Sequence, residues 1–172
     1  MVLGYEASGD REENPVAWVH GTAMRSESNN FPGRDEVNPL ASRQCAADVF
    51  RQAGITNPLK EIDAVEIYVP FSWYEPMWLE SLGFAEIDHG WRMVEDGTTN
   101  LSGGKLPVNC SGGVLSSNPI GASGMIRFAE AALQVRGMAG KLESGSHFQN
   151  WKTENWKNWI PVKLELGNWN VS

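Results

Sequence analysis

The 172-residue chain is short of several things, and each shortage excludes something. It has no run of about eighteen apolar residues, the length a membrane-crossing helix needs, so no membrane role is read from it. Residues 1–6 carry neither a basic leader nor a long apolar stretch and do not read as a secretory signal. Cysteine is scarce: Cys45 and Cys110 are too few for a disulfide framework or a cysteine-built zinc site, which points to a reducing, cytoplasmic setting. The three histidines, His20, His89 and His147, are scattered, and no pair has metal-ligand spacing, so no metal is expected. Basic residues are outnumbered, with 14 Lys+Arg against 21 Asp+Glu and a net charge of −7, which argues against a nucleic-acid partner. Apolar residues are not scarce. At 41% hydrophobic and 20% charged, the composition is that of one globular domain able to bury a core.

Along the chain, residues 1–6 and 16–20 read as strands separated by a polar turn, and residues 25–37 as a long loop. Asn38 and Pro39 suit the start of a helix and Gly54 its end. Residues 61–69 (EIDAVEIYV) read as a strand stopped by Pro70. Ser72 and Glu75 have capping-box spacing and would open a short helix running to Gly83. A loop is expected over 90–104, then a short strand, a glycine turn and a helix from about Ser123 to Arg136. On that helix Arg127, Glu130 and Gln134 share one narrow face, and Met125, Ile126, Phe128, Ala129, Ala132 and Leu133 cover the rest. A helix so apolar is expected to be sandwiched between layers. Ile160, Val162, Leu164 and Leu166 alternate as one half-buried strand in the tail.

The stretch 109–124 carries Asn109, Ser111, Gly112 and Gly113, then Ser117, Asn118, Pro119, Gly121, Ser123 and Gly124. In order and spacing it resembles the C-terminal signature of the thiolase superfamily, closest to its lipid-transfer-protein and acetyl-CoA-acetyltransferase-like branch. There an Asn-x-Ser-Gly-Gly turn precedes a Gly-His-Pro-x-Gly-x-Ser-Gly motif and a buried helix. The strand at 61–71 resembles the same family's second signature, with Tyr68 and Phe71 matching and Val69 replacing an acidic residue. The resemblance implies an α/β thiolase-like fold, the C-terminal βαβαβαββ half of a layered αβαβα architecture. Residues 1–15 would be the final strand and linker of an absent N-terminal half, and 16–172 the C-terminal domain.

The same resemblance implies an acyl-CoA substrate, with coenzyme A as part of the substrate and no tightly bound cofactor. The family's nucleophilic cysteine falls in the absent half. Cys110, in the glycine turn, reads as a small packing residue, and Cys45 as buried rather than reactive. Asn118 stands where relatives carry the motif histidine. Its amide can donate to an oxyanion but cannot act as a base, and the alternative reading is a turn residue capping the next helix. Tyr68 is a phenol donor or an ordinary strand-packing residue. Phe71, Gly112, Gly113 and Ser123 would line the coenzyme A tunnel, with core packing and tight turns as the alternatives. The tail departs from the family, since residues 144–151 offer His147 but no cysteine and no glycine run. The late tryptophans Trp151, Trp156, Trp159 and Trp169 read as core or interface packing.

Two functions follow as expectations. One is thiolase-type acyl transfer or carbon–carbon cleavage, a CoA-dependent retro-aldolase included, with this chain supplying oxyanion-hole donors and a partner or missing segment the nucleophile. The other is a non-catalytic structural or substrate-binding subunit of an acyl-CoA complex. In both, a thiolase-like N-terminal-half chain or a second copy is the expected partner, with an OB-fold, zinc-ribbon subunit implied by the resemblance.

Overall fold

Residues 62–69 form the axis of the fold, because almost every side chain in this short run is buried on one face or the other. The computed structural model describes residues 17–28 and 32–140. Val65, Ile67 and Val69 point to one side, into a core shared with Leu79, Phe84, Met93, Leu106 and Val108. Ala64 points to the other, into a smaller cluster with Cys110 and Val135. Burial on both faces is the pattern of a central strand with layers above and below it.

The layer above holds α1 (Leu40–Ala53), α3 (Tyr74–Ser81) and α4 (Gly90–Glu95), with the single turn α2 (Pro58–Glu61) leading into the axis. The layer below is α6 (Ser123–Val135), reached through α5 (Gly113–Ser116) and a 3₁₀ turn over Ile120–Ala122. Helix α1 ends as expected: Gly54 adopts φ 69°, and its N–H and that of Ile55 close the last turn. Pro39 is the residue before its first turn rather than within it. Ahead of α1, residues 17–28 lie along its surface. Gln52 exchanges hydrogen bonds with the Thr22 backbone, and Asp48 takes both Arg25 and Arg51.

Several expected elements take another form. Among the described residues the β content reduces to one parallel bridge, Val65 with Val108. Residues 17–20 form no strand, and the axis becomes extended only after Glu61, which closes α2. The bridge is short because Asn109, at φ 55°, turns the chain away immediately after Val108. The Ser72–Glu75 capping box does not form: α3 begins at Tyr74 without a side-chain cap, and the Glu75 carboxylate bonds Thr99 instead. The expected loop at 90–104 contains α4, whose first residue packs so tightly on α3 that a β-carbon at Gly90 would collide with the Pro76 carbonyl. The strands expected at 1–6 and 160–166, His147 and the late tryptophans lie outside the described residues.

Helix α6 is not covered on all sides as expected: Gln134 is fully buried and Arg127 only 6% exposed, while Met125 and Ile126 stand in solvent at 55% and 39%. The reason is the residue that Arg127 meets.

Candidate functional site

That residue is Glu66, in the middle of the axis and 2% exposed. Its carboxylate accepts from the Ser111 N–H (3.0 Å), the Ser111 hydroxyl (2.8 Å) and Arg127 Nη1 (3.2 Å). Arg127 Nη1 also donates to Ser111 Oγ. Burial pushes the Glu66 carboxyl above its usual range, and the Ser111 bonds and the Arg127 charge pull it back. A charge buried this deeply persists only where it is paired and hydrogen-bonded, and both conditions hold here. Sequence reasoning missed the pair. The available signal was an acid inside an otherwise apolar strand run, together with a lone arginine on a largely apolar helix.

The glycine turn is held to the axis by Asn109. Its N–H donates to the Val65 carbonyl (2.7 Å), and its side-chain Oδ1 accepts from the Ile67 N–H (2.8 Å), extending the ladder by one rung with an amide instead of backbone. The Asn109 side chain also fills the space beside Gly113, where a β-carbon would approach its Nδ2 to 3.0 Å. Gly113 (φ 62°) and Gly112 (φ 88°) both hold left-handed conformations, so the turn itself requires two glycines. Cys110, between them and the axis, is buried against Ala64 and Val135 as a packing residue.

One strand step beyond Glu66, the structure brings three of the expected residues together. Asn118 Oδ1 accepts from the Ser123 hydroxyl (2.6 Å) and from the Ile120 N–H (3.2 Å). Because a backbone N–H must face an oxygen, these bonds fix the amide so that Nδ2 points at the Tyr68 hydroxyl, 3.5 Å away. Ile120 sits at φ 43°, a strained conformation for a β-branched residue, and its N–H is held there by Asn118. Tyr68 is 39% exposed, and its carbonyl is held by the Trp78 indole N–H (2.8 Å). The arrangement therefore presents a phenol and an amide N–H₂ side by side at the surface, the amide anchored through its oxygen and the tyrosine through its backbone carbonyl. Asn118 does not cap α6, which has no side-chain cap; its oxygen organises its own turn and its nitrogen faces Tyr68.

Phe71 is not drawn into this pair. It stands 68% exposed with its ring 5.9 Å from that of Tyr74. Ser123 is buried and serves Asn118. Cys45, on α1, is half-buried on the wall of an apolar cavity of about 370 Å³ that Phe128 of α6 also lines. His89 precedes α4 with Nδ1 against the Ile87 carbonyl (2.9 Å). No group of three or more His, Cys, Asp or Glu among the described residues is arranged to hold a metal ion.

The family described as thiolase C-terminal domain-like matches residues 23–147, more than half of the sequence. The chain belongs to that family. Its motif residues, from Tyr68 to Ser123, all fall inside the match. The acetyl-CoA acetyltransferase of Methanothermobacter thermautotrophicus is 36% identical over 131 residues, covering 75% of this chain and 33% of the relative. Sterol carrier protein 2 of Homo sapiens is 37% identical over 101 residues, covering 58% of this chain and 18% of the relative. A solved structure of the Ltp2-ChsH2(DUF35) aldolase superposes with a TM-score of 0.66 at 25% identity, over 76% of this chain and 34% of that one. The fold is therefore thiolase-like, and the chain spans a third or less of the length of these curated relatives. No helix among the described residues is long and apolar enough to cross a membrane.

Proposed function

We propose that this chain supplies the carbonyl-polarising donors of a thiolase-type acyl-CoA enzyme that makes or breaks a carbon–carbon bond beside a thioester. The observation that carries the reading is the exposed pair of Tyr68 Oη and Asn118 Nδ2, 3.5 Å apart, with the amide turned toward the phenol by the bonds its Oδ1 accepts. As a thioester oxygen gains negative charge, an amide N–H and a phenol O–H set at one place stabilise it with little reorganisation. Asn118 can donate but cannot shuttle a proton near neutral pH, so proton transfer falls to Tyr68.

Among the described residues Cys110 is packed against Ala64 and Val135 and Cys45 lines the cavity beside α1, so neither is read as the nucleophile. A covalent thiolase route therefore needs a cysteine from a thiolase-like N-terminal-half chain or from a segment beyond residues 1–15. A retro-aldol cleavage needs none, and a tyrosine with an amide donor suits it. Coenzyme A enters as part of the substrate, and an OB-fold, zinc-ribbon subunit is a fitting partner for its nucleotide end. The structural-subunit reading rests on a different observation, the use of Asn118 Oδ1 to organise its own turn.

The test is turnover of β-keto- and β-hydroxyacyl-CoA thioesters by the chain assembled with its natural partners. Tyr68→Phe is expected to lower kcat by about 100-fold and Asn118→Ala by about 10- to 100-fold, both with assembly intact. Unchanged kcat in both variants would leave the structural-subunit reading.

A further inference from the structure

The axis and α6 face each other across an apolar, an ionic and a polar layer. Ala64, Glu66 and Tyr68 follow one another on one face of the axis, and Val135, Ala131, Arg127 and Ser123 form the buried column of α6. Ala64 shares an apolar cluster with Val135. Glu66 pairs with Arg127. Tyr68 meets Asn118, which holds Ser123. From Glu66 to Tyr68 the axis advances two residues, about 6.6 Å, and from Arg127 to Ser123 the helix advances four, about 6 Å. Fixing the ionic layer therefore brings the polar one into register, whereas Val135 lies eight helical residues, about 12 Å, from Arg127 and stands outside that match. The apolar layer cannot do the fixing, because such contacts are non-directional and tolerate small slides. A carboxylate and a guanidinium have preferred directions, and Ser111 joins them from the side with two bonds to Glu66 and one from Arg127.

We propose that Glu66 and Arg127, bridged by Ser111, are positioning residues that set the height of α6 against the axis and so hold the Asn118 amide at the Tyr68 hydroxyl. The same carboxylate anchors the glycine turn through the Ser111 N–H, so one charged layer fixes both polypeptide segments that flank the pair. Its consequence for turnover rests on the function proposed above. Its consequence for geometry does not.

The experiment is NMR of the full chain labelled with ¹³C at the tyrosine ζ-carbon. The sequence has three tyrosines; Tyr68→Phe assigns the Tyr68 signal, and Tyr74 is an internal control on the opposite side of the axis. The double variant Glu66→Gln with Arg127→Met removes both charges while keeping volume, and Arg127→Lys keeps the pair. In the double variant the Tyr74 signal is expected to stay in place while the Tyr68 signal shifts and broadens; with Arg127→Lys the Tyr68 signal stays near its original position. In the assembled enzyme the double variant should lose at least about tenfold in kcat with KM within about twofold. A folded double variant with an unmoved Tyr68 signal overturns the proposal. Should the double variant not fold, Ser111→Ala decides: a smaller Tyr68 shift in the same sense as Tyr68 reports on losing Asn118 in Asn118→Ala supports it, and none overturns it. A parent assembly inactive on every thioester would sink the proposed activity and leave the resonance test standing.

Discussion

One face of residues 62–69 is buried throughout and the other only as far as Glu66, opening to solvent at Tyr68, and the two hold the fold together in different ways. On one face Val65, Ile67 and Val69 meet Leu79, Phe84 and Leu106 through apolar contact alone. On the other, Ala64 is the only apolar contributor before the face turns ionic at Glu66 and polar at Tyr68. The apolar face contributes stability that depends on area and volume and permits many side chains. The polar face contributes direction, and it is the face that carries the candidate site. Stability and placement are therefore assigned to opposite sides of one short segment.

Substitutions can break or sharpen that contrast. The largest effect is expected from Arg127→Ala, which leaves the Glu66 carboxylate buried without its counter-charge. A loss of about 3–5 kcal/mol in denaturant unfolding is expected, and a loss under about 1 kcal/mol would show that the ionic face is dispensable. On the apolar face, Leu79→Ala is expected to cost about 2–5 kcal/mol, whereas Leu79→Met should cost less than about 1.5 kcal/mol because volume is kept. Conservative replacement is thus tolerated where contacts are apolar.

A smaller effect is expected at Asp63, whose carboxyl is pushed by burial from an ordinary 3.8 to about 6. A carboxyl raised in the folded state favours its neutral form, so stability is lost as pH rises from about 4 to about 6 and stays lower above that. Glu66, also raised by burial, acts in the same direction. Asp63→Asn should therefore stabilise the chain at pH 7 by on the order of 1 kcal/mol, allowing for the partial exposure of the group. The gain should vanish at pH 4 and below, and thermal unfolding at the two pH values checks the sign. The smallest effect is expected at Leu115, which is 65% exposed: Leu115→Ala should change stability by less than about 0.5 kcal/mol.

What the sequence disclosed and what it withheld divide along the range of the interaction. Helix α1 with its terminal Gly54 and the double-glycine turn were legible because left-handed glycines act over a few residues, and helix α6 because apolar residues fill most of its positions. Tyr68 and Asn118 were legible as partners only through motif resemblance, since fifty positions separate them in the chain. The Glu66–Arg127 pair spans 61 positions, and no local rule ties an acid in one strand to an arginine in a later helix. Without that tie, the apolar majority of α6 suggests cover on all sides, whereas the structure buries Arg127 and leaves Met125 and Ile126 in solvent. Two local signals also gave way to packing. Glu75 left the capping box for Thr99, and Gly90, a loop signal by propensity, begins a helix because only glycine fits against Pro76.

The account stands most directly on whether Tyr68 and Asn118 act on one oxygen, and a double-mutant cycle on kcat measures that. With Tyr68→Phe, Asn118→Ala and their combination assayed on the same acyl-CoA in the assembled enzyme, strong coupling is expected, the double variant being about as slow as the slower single variant. Wild-type kcat in both single variants would contradict the account.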